Sequence, residues 1–349
     1  MVRRNPIRNA SSVRSARSHL REAVLLLLLT ILVLSLFTFY VPQSLPGPNF
    51  SSKTVTILKG MTVRSIGRTL KEKGIISGVP QFVLAAKLWG KEGSLQAGRY
   101  SFPAQNSLFS VLKRLTRGEI QYERVTIPEG LTVHGVAHRL QTEAAVDSQK
   151  FIHLVNDTPF ISSLGIEAES LEGYLFPSTY TVHWEMDAAE LIRQMVGTFK
   201  RVYDKSCEMR AQELGFSLQE ILTLASIIEK EVKVAEERPA ISAVFHNRLK
   251  LGRALESCAT VEYALGVHKP RLSEEDLQVQ SPYNTYLHTG LPPAPICSPG
   301  KASIEAALYP ADVDYLYFVS AGNGHHIFSR TLEEHARAKR RVKRANGGR

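Results

Sequence analysis

SLQEILTLASIIEKEV, residues 217–232, has helical period throughout. On a wheel at about 100° per residue, Ile221, Leu222, Leu224, Ala225, Ile227, Ile228 and Val232 average to one direction, with Lys230 opposite them. Glu229 and Glu231 flank this apolar stripe at about 80° on either side, so angle alone does not separate them. Their neighbours do. Glu229 has Lys233 four residues ahead, the favourable order for a helix ion pair, and is read as half of one on the surface. Glu231 has Ile227, Ile228, Val234 and Ala235 around it and no local cation. Two readings stay open for it. Either it is a solvated carboxyl at the helix edge, or it sits in apolar surroundings that disfavour its ionised form and let it keep a proton near neutral pH, as a general acid must.

The segments on both sides give the same architectural answer. Residues 188–214 have helical period, and RPAISAVFHNRLKLG reads as a helix ending at Gly252. SPYNTYLHTGLPPAPICSPG, 281–300, carries five prolines, too many for a long helix or a central strand, and is expected to be an ordered functional loop. YLYFVS, a turn at AGNG and HHIFS predict a hairpin over 315–329. Nearer the N-terminus two stretches resemble each other at a spacing of 70 residues: VTILKGMTVRSIGRTL from Val55 and VTIPEGLTVHGVAHRL from Val125. Each predicts a short β-branched strand, a glycine turn, a threonine cap and an amphipathic helix. The chain is thus expected to be α+β, with longer helices from about residue 147.

The formal charge of +10 is not spread over the molecule. Residues 1–22 hold six arginines and one glutamate, and 337–349, RAKRRVKRANGGR, hold seven cations and no acid. What lies between is nearly neutral, so the basicity belongs to two tails rather than to a nucleic-acid-binding face, and no nucleic-acid partner is expected. Residues 23–41, AVLLLLLTILVLSLFTFYV, contain no charge and would span roughly 28 Å as a helix, close to a bilayer core. The run is longer than a signal-peptide core and no small-x-small site follows it. It predicts a single uncleaved transmembrane helix, with the arginine-rich N-terminus in the cytoplasm and everything from Pro42 onward outside it. Residues 42–53 then read as a linker.

Six segments occur in order: LEGYLFPSTY (171–180), ASIIEKE (225–231), VFHNRL (244–249), TVEYALG (260–266), the proline-rich loop (281–300) and ALYPADVDYLYFV (307–319). Together they resemble the endolytic murein transglycosylase family (MltG, YceG-like). The resemblance covers most of the chain, the N-terminal anchor included. It implies a small LysM-like α+β module over 54–122 and a mixed α+β catalytic domain over 123–336. It further implies a protein of the bacterial inner membrane, acting on nascent peptidoglycan glycan strands outside the cytoplasm, with peptidoglycan synthases as partners. The second glutamate of EKE, Glu231, would be the catalytic acid/base that cleaves the MurNAc–GlcNAc β-1,4 bond and leaves 1,6-anhydromuramyl ends. Tyr283, Asn284, Thr285 and Tyr286, with Asn247, are then the candidate substrate contacts. No metal or other cofactor is implied.

The chain departs from the family pattern where LESCATV (255–261) replaces LQ(S/T)DPTV, and where Ser178 and Ser298 stand for aspartate and asparagine. Those departures leave a non-catalytic wall-binding scaffold as the alternative reading. Metal chemistry by His325, His326 and His335 finds no HxH or HExxH spacing. Of the three cysteines, Cys258 and Cys297 fall in segments that border the cleft in the family. They could close a loop by a disulfide or remain isolated thiols, with Cys207 free either way.

Overall fold

The computed structural model describes residues 21–30, 33, 52–184, 186–269 and 271–345. The chain divides into two compact units, Met1–Tyr122 and Glu123–Arg349. Residues 21–30 are helical, but the expected membrane span, 23–41, lies in large part outside the described residues. Among the described residues no helix is long and apolar enough to cross a membrane.

In the first unit, strand β1 (Lys53–Ile57) is followed by helices α1 (Val63–Glu72) and α2 (Val79–Leu88), strand β2 (Gly98–Phe102) and helix α3 (Leu108–Arg117). β1 and β2 pair antiparallel with Val55 opposite Tyr100. Alternation along β1 turns Val55 and Ile57 inward, where they meet Ile66 and Leu70 of α1, Phe82 of α2 and Leu112 of α3. Thr62 caps α1 by accepting from the Ser65 amide, and Gly60 makes the preceding turn at φ 85°.

The second unit repeats that opening. Strand β3 (Tyr122–Thr126) leads through Gly130, at φ 77°, to Thr132, which caps α4 (Val133–Ala144) by accepting from the Gly135 amide. Both sequence copies therefore build the same strand, turn, cap and helix. Helices α5 (Ser148–Val155) and α6 (Thr158–Ser163) follow, then β4 (Thr179–His183), which pairs with β3. The helical period of 188–214 resolves into two helices, α7 (Ala188–Val202) and α8 (Lys205–Leu214). The break comes at Asp204, whose carboxylate accepts from the Ser206 and Cys207 amides and starts a new helix.

Helix α9 (Leu218–Glu231) is the centre of this unit. Every residue from Ile221 to Ile228 is buried, so the helix is enclosed on all sides and not merely along the stripe that its sequence shows. The polar members of that run are satisfied internally: Thr223 donates to Gln219 O, and Ser226 donates to Thr223 O while accepting from the Ile296 amide. Around α9 stand α10 (Arg238–Lys250), α11 (Cys258–Leu265) and α12 (Lys301–Leu308). The expected hairpin is present as antiparallel β5 (Tyr317–Ser320) and β6 (His326–Ser329).

The basic C-terminal stretch is not a loose tail through residue 345. It forms helix α13 (Leu332–Ala345), which packs on the β5–β6 hairpin and buries Ala338.

Candidate active site

Glu231 is the last residue of α9, and the chain turns to extended backbone at Val232. Its carboxyl meets the N-terminus of α11. Ser257 holds the N-cap position there, yet its side chain makes no bond to its own helix. Its hydroxyl instead donates to Glu231 Oε1 at 2.5 Å, and the Ala259 backbone amide also bonds to the Glu231 carboxyl. The glutamate thus performs for α11 the capping that Ser257 forgoes.

Ser257 is fixed by a buried hydroxyl cluster. Its amide donates to Thr285 Oγ1 at 3.0 Å, Thr285 and Thr260 share a hydroxyl bond of 2.8 Å, and Thr260 donates to Ser257 O at 2.8 Å. All three residues are buried. The residue before Ser257, Glu256, sits at φ 54°, a left-handed conformation that non-glycine residues seldom adopt. Its amide donates to Thr285 O, and its carboxylate is bound by Arg248 at 2.7 Å.

Burial pushes the Glu231 carboxyl above its ordinary value, outweighing the bonds from Ser257 and Ala259 and the nearby His326 ring, all of which favour the ionised form. Part of the residue still touches solvent, so the proton can be exchanged. His326 is itself held by Glu237, whose Oε2 lies 2.7 Å from its Nδ1 and whose carboxylate also takes its backbone amide.

Two hollows lie beside the end of α9. One, of about 260 Å³, is walled by Glu231, Cys258, Tyr286 and Phe318. The other, of about 510 Å³, is walled by Lys230, Ala259, Glu262 and Tyr263. Residues 230/231 and 258/259 therefore form the ridge between them, with the acid on it.

The structure separates the five candidate substrate contacts. Tyr286 lines the Glu231 hollow, its hydroxyl 3.2 Å from Cys258 Sγ. Asn284 and Thr285 do not face either hollow with free polar atoms. Asn284 is fully buried, its amide nitrogen donating to Leu277 O and Val279 O and its oxygen accepting from the Tyr286 amide, so it shapes the loop that carries Tyr286. Thr285 supports Ser257. Asn247 donates to Val313 O and Tyr315 O and ties α10 to the approach of β5. Tyr283 packs on Tyr263 with ring centres 4.8 Å apart.

Glu229 also differs from expectation. No bond to Lys233 forms; its Oε2 accepts from the Gly300 amide at 3.0 Å and the Ser303 hydroxyl at 2.7 Å. It caps the N-terminus of α12, where a carboxylate is favoured by the helix dipole. Its partners lie some seventy residues away, beyond the reach of i, i+4 reasoning.

Other residues that sequence reasoning passed over are Ser257, which lies inside LESCATV, and Glu172, inside LEGYLFPSTY. The Glu172 carboxylate takes the Val133 amide at 3.1 Å, and burial pushes its pKa up to about 7. The cysteines are all free: Cys258 lies against Tyr286, while Cys297 is buried and donates to Ser226 O. Among the described residues no group of three or more acidic, histidine or cysteine side chains is placed to hold a metal ion.

The chain matches the YceG-like family over residues 55–341. It is 35% identical over 302 residues to the endolytic murein transglycosylase of Bacillus subtilis (strain 168), a match covering 82% of this chain and 83% of that protein. With the endolytic murein transglycosylase of Streptococcus pneumoniae (strain ATCC BAA-255 / R6) it shares 31% identity over 362 residues, covering 92% of this chain but 65% of the longer relative. The crystal structure of a yceG-like protein from Listeria monocytogenes is similar to it with a TM-score of 0.58 and 33% identity, over 83% of this chain and 99% of that one.

Proposed function

The chain belongs to the YceG-like family, and from that premise we propose that it is a peptidoglycan lytic transglycosylase cleaving the MurNAc–GlcNAc β-1,4 bond of glycan strands endolytically. The observation that carries this reading is the carboxyl of Glu231 on the hollow, whose burial favours the protonated form while Ser257 and Ala259 supply donors for the ionised one. In the first half of the reaction Glu231 gives its proton to the leaving glycosidic oxygen as the C1–O bond breaks. The resulting carboxylate is stabilised by the Ser257 hydroxyl and the Ala259 amide at the α11 N-terminus. In the second half the muramyl 6-hydroxyl attacks C1, and its proton returns to Glu231. The proton account closes and no water enters.

A hydrolytic glycosidase uses two carboxylates flanking the bond. Here both other carboxylates on the hollows are engaged, Glu256 by Arg248 and Glu262 by the Lys269 amide and the His268 ring, which favours attack by the sugar's own hydroxyl. The two hollows either side of the ridge suit sugar rings on both sides of the scissile bond, as an internal cut requires. The intact Glu231–Ser257 pair speaks against a non-catalytic scaffold.

The same proposal extends to the rest of the chain. Residues 23–41 would anchor the protein in the inner membrane with the catalytic unit outside the cytoplasm. The first unit would act as a LysM-like glycan-holding module, a reading supported by its two antiparallel strands with two helices between them. Synthases that make nascent strands would be its neighbours. Digestion of purified glycan strands with the protein and with Glu231→Gln, followed by mass spectrometry of the ends, tests the activity. Anhydromuramyl ends from the first and none from the second are expected; ends heavier by one water would replace the lyase reading with a hydrolase.

A further inference from the structure

The hollow beside Glu231 does not end at the catalytic wall. It continues into a second space of about 570 Å³ that shares Tyr286, Tyr317, His335 and Lys339 with it and adds Arg253. The charges along this extension are one-sided. Arg248 and Glu256 neutralise each other at 2.7 Å. That leaves Arg253 and Lys339. Arg253 donates to the Tyr317 hydroxyl at 2.9 Å, with its guanidinium 5.7 Å from the centre of the Tyr317 ring. The donors it does not use there stay available. Lys339 is exposed and forms no ion pair with any described residue. His335 lies flat on the other partner of this stack, its ring centre 5.1 Å from that of Tyr317, and its buried Nδ1 has no hydrogen-bond partner. Burial first, then the charges of Lys339 and Arg248 against that of Glu256, push the His335 imidazole toward its neutral form.

We infer that the Arg253–Lys339 end of the groove is an anion subsite, and that it takes a carboxylate of the peptide carried on the muramyl sugar next to the scissile bond. The inference rests on the transglycosylase reading and adds a substrate requirement to it. A guanidinium held beside an aromatic face and an exposed ammonium make a site for a planar anion. Its place on the same groove as Glu231 puts it beside the reacting sugar rather than at a remote surface. A glycan stripped of its charges would still reach the acid, but without this anchor.

The test pairs a change in the protein with a change in the substrate. The full chain is given uncross-linked strands bearing intact peptides, the same strands with carboxyls converted to amides, and strands treated with hydrofluoric acid to remove phosphodiester-linked groups. Amidation is expected to lower kcat/KM about tenfold, mostly through KM, while hydrofluoric acid treatment leaves it unchanged. Lys339→Ala and Arg253→Ala are each expected to lose about tenfold on peptide-bearing strands and to lose that disadvantage on amidated ones. Lys339→Arg, which keeps the charge, is expected to retain the preference. Equal rates on native and amidated strands would overturn the subsite, as would variant losses that are the same on both. Slowing by hydrofluoric acid treatment alone would make the anion a phosphate and remove the carboxylate assignment. Anhydromuramyl ends from every strand with no charge preference would refute the subsite while leaving the transglycosylase standing, whereas their absence from all strands would take down both.

Discussion

Ser257 and Glu231 are joined by a bond of 2.5 Å that links the last residue of α9 to the N-cap position of α11. Because the serine is buried and pinned by Thr285, the bond fixes where the carboxyl points. Ser257→Ala should therefore lower kcat by about tenfold or more through lost orientation. The same bond favours the ionised form, so its removal should raise the Glu231 pKa further. Activity that depends on protonated Glu231 falls as pH rises through that pKa. The alkaline limb of the kcat profile should accordingly move to higher pH. A limb that stays in place would reduce Ser257 to a packing role.

Glu231→Gln should abolish anhydro-end formation without destabilising the fold at neutral pH. The folded pKa is raised above the unfolded value, so this group adds stability below the unfolded pKa and withdraws it as pH climbs through the folded one. The glutamine carries no such penalty. The Tm of the variant relative to the parent should increase from pH 4 upward, as thermal melts across that range would register.

Glu172 should show the same sign with a named window. Its pKa rises from 4.5 in the unfolded chain to about 7 when folded, so stability should decline between those values and level off above them. The full amplitude is on the order of 3 kcal/mol. In Glu172→Gln, which can still accept from the Val133 amide, that slope should vanish. A slope unchanged by the substitution would mean that another group titrates there.

Glu229→Ala should cost about 1–2 kcal/mol, because the Gly300 amide and Ser303 hydroxyl lose their acceptor at the start of α12. Its activity per folded molecule should stay near that of the parent, since Glu229 lines neither hollow. Chemical denaturation and the mass-spectrometric end assay read the two effects separately. Salt-sensitive stability of a few tenths of a kcal/mol would instead restore the surface-pair reading.

Thiol titration of the denatured, non-reduced chain should find three free cysteines. Cys258 rests against a tyrosine hydroxyl, and Cys297 is committed to a carbonyl inside the unit. A count of one would show that oxidation draws the two together.

What could be read from the sequence was local. The strand, glycine turn and threonine cap beginning at Val55 and at Val125 are decided within sixteen residues, and both form as read. Glu231 could be singled out from Ile227 and Ile228, its i−4 and i−3 neighbours on one helix, although Val234 and Ala235 fall past the helix end. The partners that give these groups their chemistry were not legible, because they come from distant segments. Ser257 reaches Glu231 across 26 residues, and Glu229 reaches Ser303 across 74. Asn284 shows the same limit from the other side. An asparagine in a proline-rich loop suggests a sugar contact, yet the loop needs that amide to satisfy its own carbonyls. The cationic run from Arg337 looked like a tail because charge hides the one face that carries Ala338 into the hairpin.

Helix α13 brings His335 and Lys339 to the groove more than a hundred residues after Glu231 has been made. A ribosome therefore delivers the acid long before it delivers the wall opposite. While the chain is still emerging, the glutamate and its serine have been made and one side of the groove has not. Cutting competence would arrive late in the making of each molecule, so a chain interrupted midway would carry the reactive group but hold no strand against it.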